Sequence, residues 1–117
     1  MPDDATLAAR RAALEERRRA LREELAGHGA DPDSDEVSYQ GDPGFADRSH
    51  STEERSRLIA LVGRLRAELH DVERAFGKLD AGTYGVCERC GNPIGEDRLE
   101  AIPWATLCIE CKRREGA

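Results

Sequence analysis

Two Cys-x-x-Cys pairs, Cys87-Glu-Arg-Cys90 and Cys108-Ile-Glu-Cys111, stand 17 residues apart near one end of this 117-residue chain. No other feature restricts the fold as strongly. Each pair turns its backbone tightly enough to aim two sulfurs at one point, and two such knuckles make the four-thiolate, tetrahedral set of a structural zinc ion. Gly91, next after the first pair, suits that turn because glycine takes left-handed backbone angles without a steric penalty. Two disulfides are the rival for a secreted chain, but the start "MPDDATLAARR" lacks the basic-then-apolar order of a secretory signal. A redox pair normally sits alone on a thioredoxin-like βαβ unit, a pattern missing here. Four protein ligands leave no coordination position for water, so the metal is expected to be structural and not catalytic.

Between the knuckles, "GNPIGEDRLEAIPWATL" carries turn signals at Asn92-Pro93 and Gly95-Glu96-Asp97, followed by a short apolar stretch. It reads as a small β-hairpin beside the metal. A short helix is expected to begin at the second knuckle, and Trp104 is expected to supply core material to the finger.

Upstream the periodicity changes. Leu58, Val62, Leu65, Leu69, Val72, Phe76 and Leu79 follow at alternating steps of four and three, the heptad seam of a coiled-coil helix. Ser51 with Glu54 forms a capping box at its start, and Gly82 marks its end. Leu7, Leu14 and Leu21 recur every seven residues, with Leu25 beyond, but Arg11 and Arg18 occupy the alternate seam positions, so the first helix is the weaker one. Glycines 27, 29, 41 and 44 with prolines 32 and 43 interrupt any single long helix. The expected fold is therefore mainly α: an antiparallel two-helix coiled-coil hairpin over residues 1–82, with an acidic loop at 27–51, followed by a four-cysteine zinc finger over 83–117. Pairing within one chain makes a monomer the expected state.

Charge is distributed unevenly. Residues 27–57 hold eight acidic and three basic side chains, nearly all of the net charge of −6. An acidic chain is a poor binder of bare nucleic acid, whose affinity rests on Lys and Arg at phosphates, so sequence-specific DNA binding is not expected. A zinc-ribbon nucleic-acid binder or adaptor is the alternative from another class. A thiol redox protein is a third, disfavoured by the complete pairing of the cysteines. No apolar run approaches the roughly 20 residues that span a bilayer, and a cytoplasmic location is expected. No Ser/His/Asp set, phosphate loop or open metal site suggests an enzyme.

The stretch "LDAGTYGVCERCGNPIGEDRLEAIPWATLCIECK" closely resembles the zinc finger of the DksA/TraR family of bacterial transcription regulators. The likeness lies in the Tyr-Gly-x-Cys entry, the Pro-Ile-Gly turn, an Arg-Leu-Glu-Ala strand and the Leu-Cys-Ile-x-Cys second knuckle. The resemblance implies a protein that binds RNA polymerase, inserts its hairpin into the secondary channel and modulates initiation through an acidic tip. The family tip is Asp-x-x-Asp-x-Ala; here Asp47 matches the second aspartate, while Gly44 and Ser49 stand at the first aspartate and the alanine. Asp42 offers a second carboxylate nearby. Asp42, Asp47, Arg48 and Ser49 are thus the expected partner-binding residues, and some family members also answer to guanosine tetraphosphate as co-effector.

Overall fold

The computed structural model describes residues 3–33 and 52–116. Its helices are α1 (Asp4–Gly27), α2 (Thr52–Ala81), α3 (Glu96–Ala101) and α4 (Ile109–Gly116). The fold is mainly α, and the β structure among the described residues is one isolated antiparallel bridge between Val86 and Pro93. None of these helices is long and apolar enough to cross a membrane.

Both long helices stop by the same chemistry. After α1, Gly29 adopts φ 79°, letting Ala30 N–H reach back to the Leu25 carbonyl at 2.9 Å and Gly29 N–H to that of Ala26 at 3.0 Å. After α2, Gly82 at φ 77° does the same, with Thr83 N–H on Lys78 at 2.9 Å and Gly82 N–H on Leu79 at 3.4 Å. These paired bonds satisfy carbonyls that a helix end otherwise leaves orphaned. At the start of α1 the Asp3 carboxylate accepts the Thr6 N–H at 2.8 Å, and that backbone bond holds its pKa below the ordinary carboxylate value. The expected cap of α2, Ser51, lies outside the described residues.

The chain forms two compact units, Met1–Arg17 with Asp71–Ala117 and Arg18–His70. In the second unit Leu21 and Leu25 from α1 and Val62 from α2 are fully buried, with Leu65 and Leu69 of α2 nearly so. The segment after α1 is tied down by Arg22, bonded to Asp33 at 2.7 Å, and by Arg66, bonded to the Asp31 carbonyl at 2.7 Å. In the first unit Arg11, near the start of α1, meets Asp80 at the end of α2 at 2.8 Å and lies 5.9 Å from the Phe76 ring centre. The two helices are therefore antiparallel. An arginine serves at this seam position because its guanidinium lies over the aromatic face and still reaches a carboxylate at the margin. Ala75, one residue outside the alternating seam, is 1% exposed. An alanine makes little mark on a hydrophobic pattern, yet this one is part of the core.

The expected β-hairpin in the finger gives way to a helix. Arg98-Leu-Glu-Ala belongs to α3, not to a strand. Gly95 at φ 106° turns the chain into it, and Glu96 and Asp97 place negative charge in its first turn, where the helix dipole favours it. Leu99 then points inward, 2% exposed. The short helix expected at the second knuckle is α4.

Candidate metal centre

The finger is assembled around four sulfurs. Val86 and Pro93 bridge, Ile94 N–H bonds the Gly85 carbonyl at 2.8 Å and Cys87 N–H that of Asn92 at 2.9 Å, closing a tight loop around the first knuckle. Within it Gly91, at φ 77°, donates to the Cys87 carbonyl at 3.0 Å. The second knuckle is the first turn of α4, sealed by Lys112 N–H on the Cys108 carbonyl at 2.9 Å. Glu88 N–H to the Thr106 carbonyl, also 2.9 Å, joins the two halves.

The result is a cluster of Cys87, Cys90, Cys108 and Cys111 whose sulfurs lie within 4.8 Å of one another. None is in a disulfide, and Cys90 Sγ stands 3.7 Å from Cys108 Sγ. A sulfur–sulfur bond is only about 2.05 Å long. A zinc ion at about 2.3 Å from each of four sulfurs, by contrast, sets them about 3.8 Å apart along the tetrahedron's edges. The spacing is that of a metal cage. Cys87 and Cys111 are buried and Cys90 is exposed, so one edge of the cage faces solvent.

The local electrostatics push the two buried thiols in opposite directions. The Cys90 backbone N–H above all, helped by those of Cys108 and Arg89, lowers the Cys87 pKa to about 6. Burial, followed by the neighbouring sulfurs, raises that of Cys111 to about 12. Without a cation the four thiols cannot all ionise so close together; a divalent metal removes that conflict. Two basic side chains close in sequence to the cysteines are engaged with other partners: Arg98 Nε donates to the Leu107 carbonyl at 3.0 Å and Lys112 pairs with Glu115 at 3.4 Å.

Around the cage the small core is Tyr84, Ile94, Leu99 and Ala105. Gly85 is required here: its φ is 88° and a Cβ would stand 3.3 Å from Leu99 Cδ1. Tyr84 donates its hydroxyl to the Pro103 carbonyl at 2.8 Å, and burial raises its pKa to about 12. Its neutral form is thus favoured by folding, a contribution complete below pH 10 and lost only as pH rises through about 12. Tyr84→Phe leaves the Pro103 carbonyl without its donor, and a loss of about 1–2 kcal/mol in chemical denaturation of the zinc-bound protein is expected. An unchanged midpoint would mean that water replaces the hydroxyl without penalty.

Contacts invisible to sequence periodicity seat this finger within its unit. Glu88 pairs with Arg74 at 2.6 Å and Lys78 at 2.8 Å, Glu96 with Arg10 at 3.1 Å, and the Arg17 guanidinium lies 5.2 Å from the Trp104 ring centre. Trp104, expected as core, is half-buried and works through this cation–π contact. The expected partner-binding residues Asp42, Asp47, Arg48 and Ser49 lie outside the described residues.

The finger, residues 82–115, matches the family model of the prokaryotic dksA/traR C4-type zinc finger. Similarity extends well beyond it. The RNA polymerase-binding transcription factor DksA of Escherichia coli is 37% identical over 110 residues, covering 94% of this chain and 71% of that protein. The chain belongs to the DksA/TraR family. The factor of the same name from Haemophilus influenzae is 44% identical over 78 residues, 67% of this chain and 52% of that protein. The match thus spans about half the length of some curated relatives. Among solved structures, transcription factor DksA2 from Pseudomonas aeruginosa superposes with a TM-score of 0.69 at 29% identity, covering 97% of this chain and 85% of that one. As in other DksA/TraR fingers of the C4 type, four clustered cysteines give this chain a structural Zn2+ as cofactor.

Proposed function

We propose that this protein is a non-enzymatic transcription regulator that binds RNA polymerase, and that Cys87, Cys90, Cys108 and Cys111 are the zinc ligands that keep its finger folded. The observation that carries the reading is the 110-residue similarity to a polymerase-binding factor, which takes in the helices as well as the finger. A metal with four thiolate ligands offers no open position for a substrate, so zinc supplies structure here and no chemical step. In this reading residues 1–82 are the functional hairpin and 83–117 the finger. The protein works as a monomer in the cytoplasm, with guanosine tetraphosphate as a co-effector to be tested alongside it.

The mechanism rests on charge at the end of a slender element. A helical hairpin enters the secondary channel, where a globular domain would not fit, and carboxylates of the 27–51 loop meet basic groups and the metal-bearing active centre. Asp42 and Asp47 supply the charge, while Arg48 and Ser49, directly after Asp47 in sequence, complete the proposed contact set. Changing both aspartates to asparagine should leave polymerase capture by the purified protein intact but reduce its effect on a ribosomal RNA promoter by roughly tenfold, equivalent to about 1.4 kcal/mol. If wild-type protein fails to capture host polymerase at micromolar concentration, the reading is wrong. Retention of nucleic acid instead, weakening steeply with salt, would indicate the zinc-ribbon alternative.

A further inference from the structure

The joint between α2 and the finger is narrow. After the Lys78 carbonyl captures Thr83 N–H, the next side chain, Tyr84, already belongs to the finger core through its bond to Pro103. Only Gly82 and Thr83 lie between, both exposed, and a Cβ added at Gly82 would meet nothing within 4 Å. What holds the step is backbone bonding: Gly82 N–H to Leu79, Thr83 N–H to Lys78, and Val86 N–H to the Thr83 carbonyl at 3.3 Å. Two finger glutamates also reach helix cations. Glu88 uses both oxygens, Oε2 to Arg74 Nη2 at 2.6 Å and Oε1 to Lys78 Nζ at 2.8 Å, so it grips two positions one turn apart on α2. Glu96 Oε2 reaches Arg10 Nη2 on α1 at 3.1 Å.

We propose that the zinc finger is a salt-sensitive, hinged module: it pivots at Gly82–Thr83 and is seated by two ionic clasps, Glu88 with Arg74 and Lys78, and Glu96 with Arg10. Zinc holds the finger's interior together, and the clasps hold its orientation on the helices. The two functions separate because none of the four cysteines takes part in a clasp and neither glutamate is a metal ligand. The clasps are partly open to solvent, with side-chain exposures of 26% for Glu88 and 58% for Glu96, so mobile ions screen them. At about 1 M salt the screening length falls to about 3 Å, comparable to the pairs themselves. The cation–π contact of Arg17 with Trp104, at 5.2 Å, adds a further tether between α1 and the finger that salt does not screen in the same way. The inference concerns this chain's own mechanics and does not depend on the identity of its partner.

The test is amide 15N relaxation on the full-length, zinc-loaded protein, comparing finger residues 86–111 with α2 residues 71–81 while zinc content is measured on the same samples. At low salt both sets should share one correlation time. In the Glu88→Gln/Glu96→Gln variant, and in the wild type at high salt, the finger should keep its zinc but lose the shared tumbling and acquire a shorter time than α2. Reversing the α2 clasp, Glu88→Lys with Arg74→Glu and Lys78→Glu, should restore common tumbling when Glu96 is intact. Common tumbling in the double variant and at high salt would overturn the proposal, because other contacts would then fix the orientation. Loss of zinc from the double variant would overturn it too, since the carboxylates would then be serving the metal site.

Discussion

Stripping zinc from the protein, or replacing Cys111 with serine, should abolish the ordered structure of residues 84–111. A binding free energy on the order of 10 kcal/mol is at stake, because a four-thiolate site binds its metal with that strength and does not exist in the unfolded chain. The apolar core beside it, Tyr84, Ile94, Leu99 and Ala105, is too small to replace the metal. Heteronuclear NMR would register the change as collapse of the finger's amide dispersion after chelation, with recovery on adding one equivalent of zinc. A dispersed spectrum in the metal-free protein would show that packing alone suffices.

The same site predicts a pH dependence with a definite sign. Because the finger orders only with its metal, Cys87 and Cys111 in the unloaded chain are thiols with the ordinary value of 9.0, and at pH 7 zinc must displace their protons to gather thiolates around itself. Affinity should therefore fall steadily as pH falls below that value. Calorimetry in buffers of different ionisation enthalpy counts those protons; zero release at pH 7 would contradict the assignment.

Leu21→Ala should produce a large loss in the second unit, about 2–5 kcal/mol, because a fully buried leucine leaves a cavity that the helices cannot close. Thermal unfolding should shift down by on the order of 10 °C. The finger lies in the other unit, so zinc stoichiometry should stay at one. Truncating the exposed Glu23 serves as the control, with an effect within about 0.5 kcal/mol. A Leu21 variant as stable as that control would mean that the leucine seam of α1 does not bear the packing described.

The features readable from residues alone were those written in local order. The spacing of the cysteines announced the metal cage, since a Cys-x-x-Cys turn is a short-range geometry. The alternating steps from Leu58 to Leu79 announced α2, and Gly82 its end, for helix period and the glycine cap are properties of neighbouring positions. In both cases steric and hydrogen-bond rules act over a few residues. The segment after Gly95 reads from sequence as part of a β-hairpin because six residues carry too little periodicity to separate strand from helix. What settled it was Leu99 finding its place over Gly85.

The seating of the finger had no local signature at all. Arg10 and Glu96 stand 86 positions apart, and Glu88 looks like any solvated glutamate until α2 brings Arg74 and Lys78 to it. Ala75 is a core residue only once the folded chain covers it. The coiled-coil pattern and the zinc knuckles are thus intrinsic to the chain, as repeats and turns act between near neighbours. The choice of which charges pair, which small residue is buried and how Trp104 is used belongs to the folded molecule, because those interactions need distant segments to be brought together first.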